Sequence, residues 1–282
     1  MKKKVAIVTG ADGGMGRVIT RTLAREGYEV IMACRDIHRA TSICQEIRNE
    51  TASSVQVYPL DLASSKSINA FIEKIYGTHT GIHLLLNNAG VLPHKPDLTE
   101  DDIEISAGVN YLGHYYLTRK LIPLMSNGAR IVNMASLSYR WFEVSDTFFE
   151  AVDSRLFNRF VSYSASKRAL VYFTLDYAEI LKEKNITINC ADPGIVSTNI
   201  IRMGNRIIDK SCDWFFRPVI RKPEKGAATM LYLALSPEME GKTGGYYANQ
   251  KLTEIPRHIK NSPNRKKLRE MTEAILKSRF HQ

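Results

Sequence analysis

Val5-Ala6-Ile7-Val8-Thr9-Gly10-Ala11-Asp12-Gly13-Gly14-Met15-Gly16 comes directly after three lysines. Four apolar residues ended by a glycine-rich turn have the length of a short strand covered on both faces. Residues 18–26 then place Val18, Ile19, Leu23 and Ala24 on one helical face and stop at Gly27. Glycines at such a junction let the backbone turn tightly and bring its N–H groups against a pyrophosphate. The helix N-terminus adds a partial positive charge behind them. The spacing of Gly10, Gly14 and Gly16 departs from the general GxGxxG fingerprint, so the argument rests on their place at the first strand-to-helix junction.

The alternation continues along the chain. Residues 29–34, 55–60, 83–86, 130–134 and 187–191 read as strands, and 37–49, 67–76, 112–125 and 164–182 as helices. Strands alternating with helices of about ten to fifteen residues imply crossover units. The expected fold is a single α/β domain of Rossmann type, a doubly wound parallel sheet with helices on both faces. No internal repeat or linker interrupts it. From Pro256 the composition turns basic and polar, which divides the chain into a dinucleotide-binding catalytic domain over 1–255 and a basic helical appendage over 256–282.

Hydrophobic residues make up 44% and charged residues 24% of the 282, which sets disorder and repeat architectures aside. The formal charge is +10, and +6 of it lies in the last 32 residues, where nine Lys/Arg face three Glu. The rest of the chain is nearly balanced, so the bulk charge says little about its chemistry. Cys34, Cys44, Cys190 and Cys212 form no CxxC pair and suit a reducing compartment. No run approaches the about 18–20 apolar residues that span a bilayer. A cytoplasmic protein is expected.

The end of the second strand reads the cofactor's ribose. An acid there takes a 2′-hydroxyl, whereas an Arg accommodates a 2′-phosphate. Here Cys34 stands where an acid would sit and Arg35 is next, which favours NADP(H). Asp36 keeps NAD(H) open as the alternative.

Tyr163-Ser164-Ala165-Ser166-Lys167 places Tyr and Lys at i and i+4 on one helical face. A phenol near its usual pKa of about 10 is a poor base at neutral pH. A neighbouring ammonium stabilises the phenolate, so Tyr163 can exchange a proton with a substrate oxygen.

In this context the chain resembles the short-chain dehydrogenase/reductase family over roughly residues 3–250. The matching blocks are TGxxxGxG at Thr9 to Gly16, Asp61-Leu62, Asn87-Asn88-Ala89-Gly90, Asn110, Ser136, Tyr163 with Lys167, and Pro193-Gly194 with Thr198. The resemblance implies that Ser136 binds the substrate oxygen, Tyr163 is the acid/base and Lys167 lowers its pKa and holds the nicotinamide ribose. It implies that Asn110 supports a proton-relaying water. Gly10, Gly14, Met15 and Gly16 would cradle the dinucleotide, Arg35 the 2′-phosphate, and Asp61 with Leu62 the adenine. Asn88, Ala89, Gly90, Pro193, Gly194 and Thr198 would line the remainder. Ala135 departs from the pattern, where a second Ser is usual. Ser138 is the alternative partner for Tyr163, and a purely structural helix bend is the alternative for Asn110. Cys34-Arg35-Asp36 and the stretch from Lys222 to Pro237 are similar to the retinol-dehydrogenase-like branch, which implies NADP(H) and lipophilic alcohols or carbonyls.

Between Ser136 and Tyr163 lie 26 residues carrying Tyr139, Trp141, Phe142, Phe148, Phe149, Phe157 and Phe160, and Trp214-Phe215-Phe216 comes later. Such rings can wall a pocket for a lipophilic alcohol or carbonyl substrate, or pack the edge of the core. His79 with His83, His94 and His114 lack an acidic third ligand, and no metal is expected. The tail spaces Leu268, Met271, Ile275 and Leu276 helically opposite its Lys and Arg residues. That stripe can lie peripherally on an anionic membrane or dock on its own domain. A homo-oligomer stays open. Nucleic-acid binding lacks any recognised motif. The rival to an enzyme is a non-catalytic dinucleotide-binding redox sensor, which a missing Tyr or Lys would have favoured.

Overall fold

The computed structural model describes residues 3–194 and 222–280. The first apolar run becomes β1 (Val5–Thr9), buried along its whole length. It lies inside one sheet with β2 (Glu29–Cys34), β3 (Val55–Pro59), β4 (Ile82–Asn87), β5 (Met125–Met134), β6 (Thr187–Asp192), β7 (Tyr246–Ala248) and β8 (Lys251–Thr253). The spatial order is β3-β2-β1-β4-β5-β6-β7-β8. Every pairing is parallel except β7 with β8. The order reverses between β1 and β4, which opens a crevice at their carboxyl ends, the place where such sheets bind ligands.

Side chains alternate across each strand and so feed two cores. Ala6, Val8, Leu84, Leu86 and Val132 meet α1 (Gly14–Arg25), α2 (Ile37–Thr51) and α6 (Pro223–Leu235) through Ile19, Leu23, Ile47, Met230 and Leu233. Ile7, Ile31, Leu85, Ile131 and Ile188 point the other way. They meet α3 (Ser65–Thr78), α4 (Gly113–Leu121) and α5 (Arg159–Ile180). Burial of this kind contributes about 1.5–3 kcal/mol for each large side chain.

Three differences from the sequence reading have local causes. The helix expected over 112–125 begins as a π-helical turn at Ala107–Leu112 and ends early, because Pro123 permits only a short 3₁₀ turn before β5 starts at Met125. The long helix α5 starts a turn sooner than expected. Asn158 caps it, its Oδ1 accepting from the Phe160 N–H at 3.0 Å. The β7–β8 hairpin turns on Asn249 and Gln250, both at positive φ (52° and 62°), the geometry a two-residue hairpin needs. No Asn-Gly pair announced it.

The C-terminal segment forms α7 (Arg257–Lys260) and α8 (Pro263–Arg279). The apolar stripe of α8 is turned inward: Leu268 and Leu276 are buried in the core cluster, with Met271 and Ile275 packed against it. Tyr111 Oη lies 2.9 Å from Thr272 Oγ1, and Tyr115 donates to Glu273 at 2.8 Å. Tyr116 and Phe280 meet edge to face with centroids 4.9 Å apart. Arg265 Nε pairs with Asp176 of α5 at 2.5 Å. The helix thus covers the outer surface of α4 and α5, leaving Lys266, Lys267 and Lys277 exposed.

Leu276→Ala should therefore cost about 2–5 kcal/mol of stability. Lys277→Ala, on the opposite face, should stay within about 0.5 kcal/mol. Urea denaturation of both purified variants measures the contrast.

Candidate active site

Thr9 ends β1, and its side chain organises the crevice beside it. The Thr9 Oγ1 accepts from the N–H groups of Asn88 and Ala89 at 2.9 and 3.0 Å and lies 2.9 Å from His114 Nε2. Asn88 returns the contact, its Nδ2 donating to the carbonyls of Thr9 at 2.9 Å and Gly10 at 3.2 Å. The Oδ1 of Asn88 is buried with no hydrogen-bond partner in the protein.

Gly10 takes φ +60°, and a Cβ there would sit 3.0 Å from Ala89 Cα. A Cβ on Gly16 would lie 2.1 Å from the Gly10 carbonyl oxygen, whereas one on Gly14 would meet only the Pro223 ring at 3.5 Å. Gly13 stands at the N-cap of α1 without a capping side chain, and no acid occupies the first turn. The first N–H groups of the helix thus face the crevice without a side-chain partner, which suits an anion. Met15 is buried in the core beneath them. Glycine cradle, uncapped helix and orphaned Asn88 oxygen together fit a dinucleotide.

At the end of β2, Cys34 is buried and Arg35 exposed. Asp36 caps α2, accepting from the Arg39 N–H at 3.0 Å, so its carboxylate is engaged locally. An acid does reach the strand end, but from the glycine loop. Asp12 lies against the Cys34 thiol, which burial first and Asp12 second push up to about 12. Arg39 grips Asp12 with both Nε, at 2.7 Å, and Nη2. Neither Asp12 nor Arg39 was given a role in the sequence reading. Arg39 lies four residues beyond Arg35, the one available signal, while Asp12 is brought there only by the fold. Asp61 accepts from the Ala63 N–H at 2.9 Å and is half-buried beside buried Leu62.

Across the crevice, Ser136 caps the 3₁₀ turn Leu137–Arg140. Its Oγ accepts from the Ser138 N–H at 3.3 Å and the Ser138 hydroxyl at 3.1 Å. With both lone pairs used, its own proton is left for Tyr163. Ser138 therefore braces Ser136. Tyr163 is half-buried on α5. Burial pushes its hydroxyl up to about 12, Ser136 opposes that shift, and Asp192 adds to it. Lys167 Nζ lies 5.5 Å from the Tyr163 ring centroid and donates to the Met134 carbonyl at 2.8 Å. Burial holds Lys167 down at about 8. Dehydration thus outweighs the hydrogen bond from Ser136 at the phenol.

Asn110 sits inside the π-helical turn, a feature frequent at functional sites. Its amide accepts from the Val91 N–H at 2.7 Å and donates to the Val91 carbonyl at 3.0 Å and Ser166 Oγ at 2.9 Å. A Cβ on Gly90 would lie 3.3 Å from Asn110 Oδ1 and 3.6 Å from Lys167 Nζ, so these three positions converge. Pro193 is half-buried and Gly194 exposed at φ +70°. Thr198, Cys212 and the aromatic group at 214–216 lie outside the described residues.

The aromatic insert splits. Phe148 and Phe149 are buried against Tyr111, with centroids 6.0 and 6.2 Å away, and belong to the core rather than to a pocket wall. Tyr139 is buried against Tyr246. Trp141, Phe142 and Phe160 are exposed. Glu143 ties the insert to α5 through Arg168 at 2.7 Å and Tyr172 at 2.8 Å. Among the described residues, no group of three or more His, Cys, Asp or Glu could hold a metal ion, and no helix is long and apolar enough to cross a membrane.

Comparison with known proteins places the chain among relatives of one family. The family model for short chain dehydrogenase matches residues 4–143 and 153–206. Retinol dehydrogenase 14 of Mus musculus is 36% identical over 286 residues, covering 94% of this chain and 84% of its own. Polyprenol dehydrogenase of Mus musculus is 36% identical over 256 residues, covering 88% and 76%. Among solved structures, a short-chain dehydrogenase/reductase from Serratia marcescens superposes with a TM-score of 0.68 at 26% identity, over 87% of this chain and 95% of that one.

Gly16→Ala should cost more than about 1–3 kcal/mol, because backbone must move to admit the methyl group. Gly14→Ala should leave stability level or slightly higher. Thermal melting of the two variants tests the cradle.

Proposed function

We propose that this chain, which belongs to the short-chain dehydrogenase family of oxidoreductases acting on CH–OH groups with NAD(P), interconverts a lipophilic alcohol and its carbonyl with NADP(H). The observation that carries the reading is the convergence of Ser136, Tyr163 and Lys167 on one side of a crevice whose other side is the glycine cradle. The cofactor supplies the hydride chemistry when bound. Gly10, Gly14, Met15 and Gly16 would take its pyrophosphate, and Asp61 with Leu62 its adenine. Asn88, Ala89 and Gly90, with Pro193, Gly194 and Thr198, would border the nicotinamide half.

Ser136, braced by Ser138, points its proton toward the oxygen of Tyr163 and of a substrate beside it. Tyr163 gives its proton to a carbonyl oxygen in reduction and takes one from an alcohol in oxidation. Lys167 brings a positive charge that favours the phenolate as the proton leaves. Asn110 holds the π-helical turn against Val91 and Ser166, which supports its reading as the brace of a proton path. A purely dinucleotide-sensing role has less support, since it needs neither Tyr163 nor Lys167.

The cofactor preference rests on Arg35, joined by Arg39. Asp36 spends its carboxylate on capping α2, which leaves it less suited to accept a ribose hydroxyl. Asp12 would repel a 2′-phosphate were it not covered by Arg39. The lipophilic substrate is supported by the exposed rings of Trp141, Phe142 and Phe160 beside the catalytic segment. Relatives named for retinol and polyprenol, both apolar alcohols, agree with it. Buried, unpaired Cys34, Cys44 and Cys190 support a reducing, cytoplasmic setting.

Tyr163→Phe keeps the ring and removes the proton, so turnover should fall by about 10²–10⁴ while NADPH affinity changes little. A panel of alcohols and carbonyls, with calorimetric titration of NADPH, tests this. Near-normal turnover in the pure variant would defeat the assignment. NADPH should outperform NADH in kcat/KM by about ten- to a hundredfold, the worth of a hydrogen bond to a charged group. Cys34→Asp with Arg35→Ala should reverse the order. Equal or better kinetics with NADH in the unmodified enzyme would overturn the reading of Arg35.

A further inference from the structure

β6 ends on Asp192, a carboxylate only 5% exposed. The pairing of Met134 with Ala191, and the Ala135 N–H bonded to the Ala191 carbonyl at 2.8 Å, set Asp192 level with Ala135 and next to Ser136. Two donors hold it: the Gly194 N–H on Oδ1 at 2.8 Å and the Tyr246 hydroxyl on Oδ2 at 2.6 Å. The second distance falls within the range of charge-assisted O–H···O bonds. Neither donor carries a charge, so the negative charge is left to act on its surroundings.

Lys167 needs such a charge. It is 2% exposed, and its Nζ meets the neutral Met134 carbonyl. A buried ammonium without a counter-charge is costly. Arg168, its neighbour on α5, spends its guanidinium on the Tyr139 carbonyl and Glu143. From α4, His114 is held neutral, pushed down to about 3 by burial. From β6, the Cys190 thiol is pushed up to about 12 by burial. From β7, burial keeps the Tyr246 hydroxyl protonated, and from the turn after β5 it does the same for Tyr139. Among the described residues, Asp192 is the carboxylate that acts on both Lys167 and Tyr163.

We propose that Asp192 is a positioning residue, the buried counter-charge that sets the pH at which the Tyr163–Lys167 pair exchanges its proton. The two effects share one sign. A negative charge favours the ammonium of Lys167 and disfavours the phenolate of Tyr163, so each group keeps its proton to higher pH. The kinetic consequence rests on the reading of Tyr163 as acid/base; the charge coupling itself does not.

Asp192→Asn tests this with little change of shape. The amide oxygen still accepts from Gly194, and the amide nitrogen can donate to the Tyr246 oxygen. The Lys167 ε-carbon signal, monitored by NMR in lysine-labelled protein without cofactor and assigned through Lys167→Arg, should titrate lower by about one unit. The controlling pKa of the kcat/KM profile should fall by a similar amount. Asp192→Ser, also neutral, should reproduce the shift should the Asn variant not fold. Tyr246→Phe breaks the same hydrogen bond but keeps the charge, so its titration should stay within about 0.3 unit of wild type. An unmoved Lys167 titration in the neutral variants, or an equal shift in Tyr246→Phe, overturns the proposal. A shifted NMR titration with an unmoved kinetic profile upholds the charge coupling and overturns the acid/base reading of Tyr163.

Discussion

The hydroxyl of Thr9 has one proton and two lone pairs, and the crevice uses all three. The lone pairs take the Asn88 and Ala89 N–H groups, and the proton faces His114 Nε2 at 2.9 Å, with the Leu86 carbonyl farther off at 3.5 Å. The Asn110 carbonyl, 3.2 Å from His114 Nδ1, can only accept, so Nδ1 carries the hydrogen and Nε2 is left to accept from Thr9. A neutral imidazole is what its complete burial requires. Through this one oxygen the end of β1, the loop after β4 and the π-helical turn before α4 are held in a single register. The glycine cradle and Asn110 are thereby coupled, because a hydroxyl replaced by a methyl here would strand the half-buried N–H groups of Asn88 and Ala89 and the buried ring of His114.

The reacting side of the crevice is governed by dehydration. Parallel strands covered on both faces leave little water at their carboxyl ends. Each ionisable group there drifts toward its neutral form, Tyr163 upward and Lys167 downward. Opposing influences come from fixed partners, Ser136 for the phenol, and Cys190 and then Asp192 for the ammonium. The pair therefore sits in an environment where modest changes of nearby charge have large effects, since little solvent screens them. A bound dinucleotide would enter this same balance.

Support comes from outside the sheet as well. Glu143 anchors the insert to α5, and α8 covers α4 and α5 with both an apolar stripe and polar bonds from Tyr111 and Tyr115. The helices that carry Asn110, Tyr163 and Lys167 are thereby clamped on their outer surfaces while their inner surfaces line the crevice. Many of the aromatic residues of the chain serve this clamp, as the burial of Phe148, Phe149 and Tyr139 shows.

Much of this was written in the linear order of residues. Short apolar runs bounded by turn residues specify buried parallel strands, and they predicted six of the eight strands, because the period of a strand and its flanking turns are local properties. Tyr163 and Lys167 were legible for the same reason, one helical turn apart. What lay beyond the sequence was every relation across elements. Asp12 and Arg39 meet only when β1 and β2 lie side by side, and Asp192 reaches Lys167 only through the β5–β6 register. Whether an aromatic or an apolar stripe faces a pocket, a membrane or the core depends on which neighbour the fold supplies. Sequence periodicity assigns a residue to a face; tertiary packing decides what that face meets, because burial and charge coupling act through space and not along the chain.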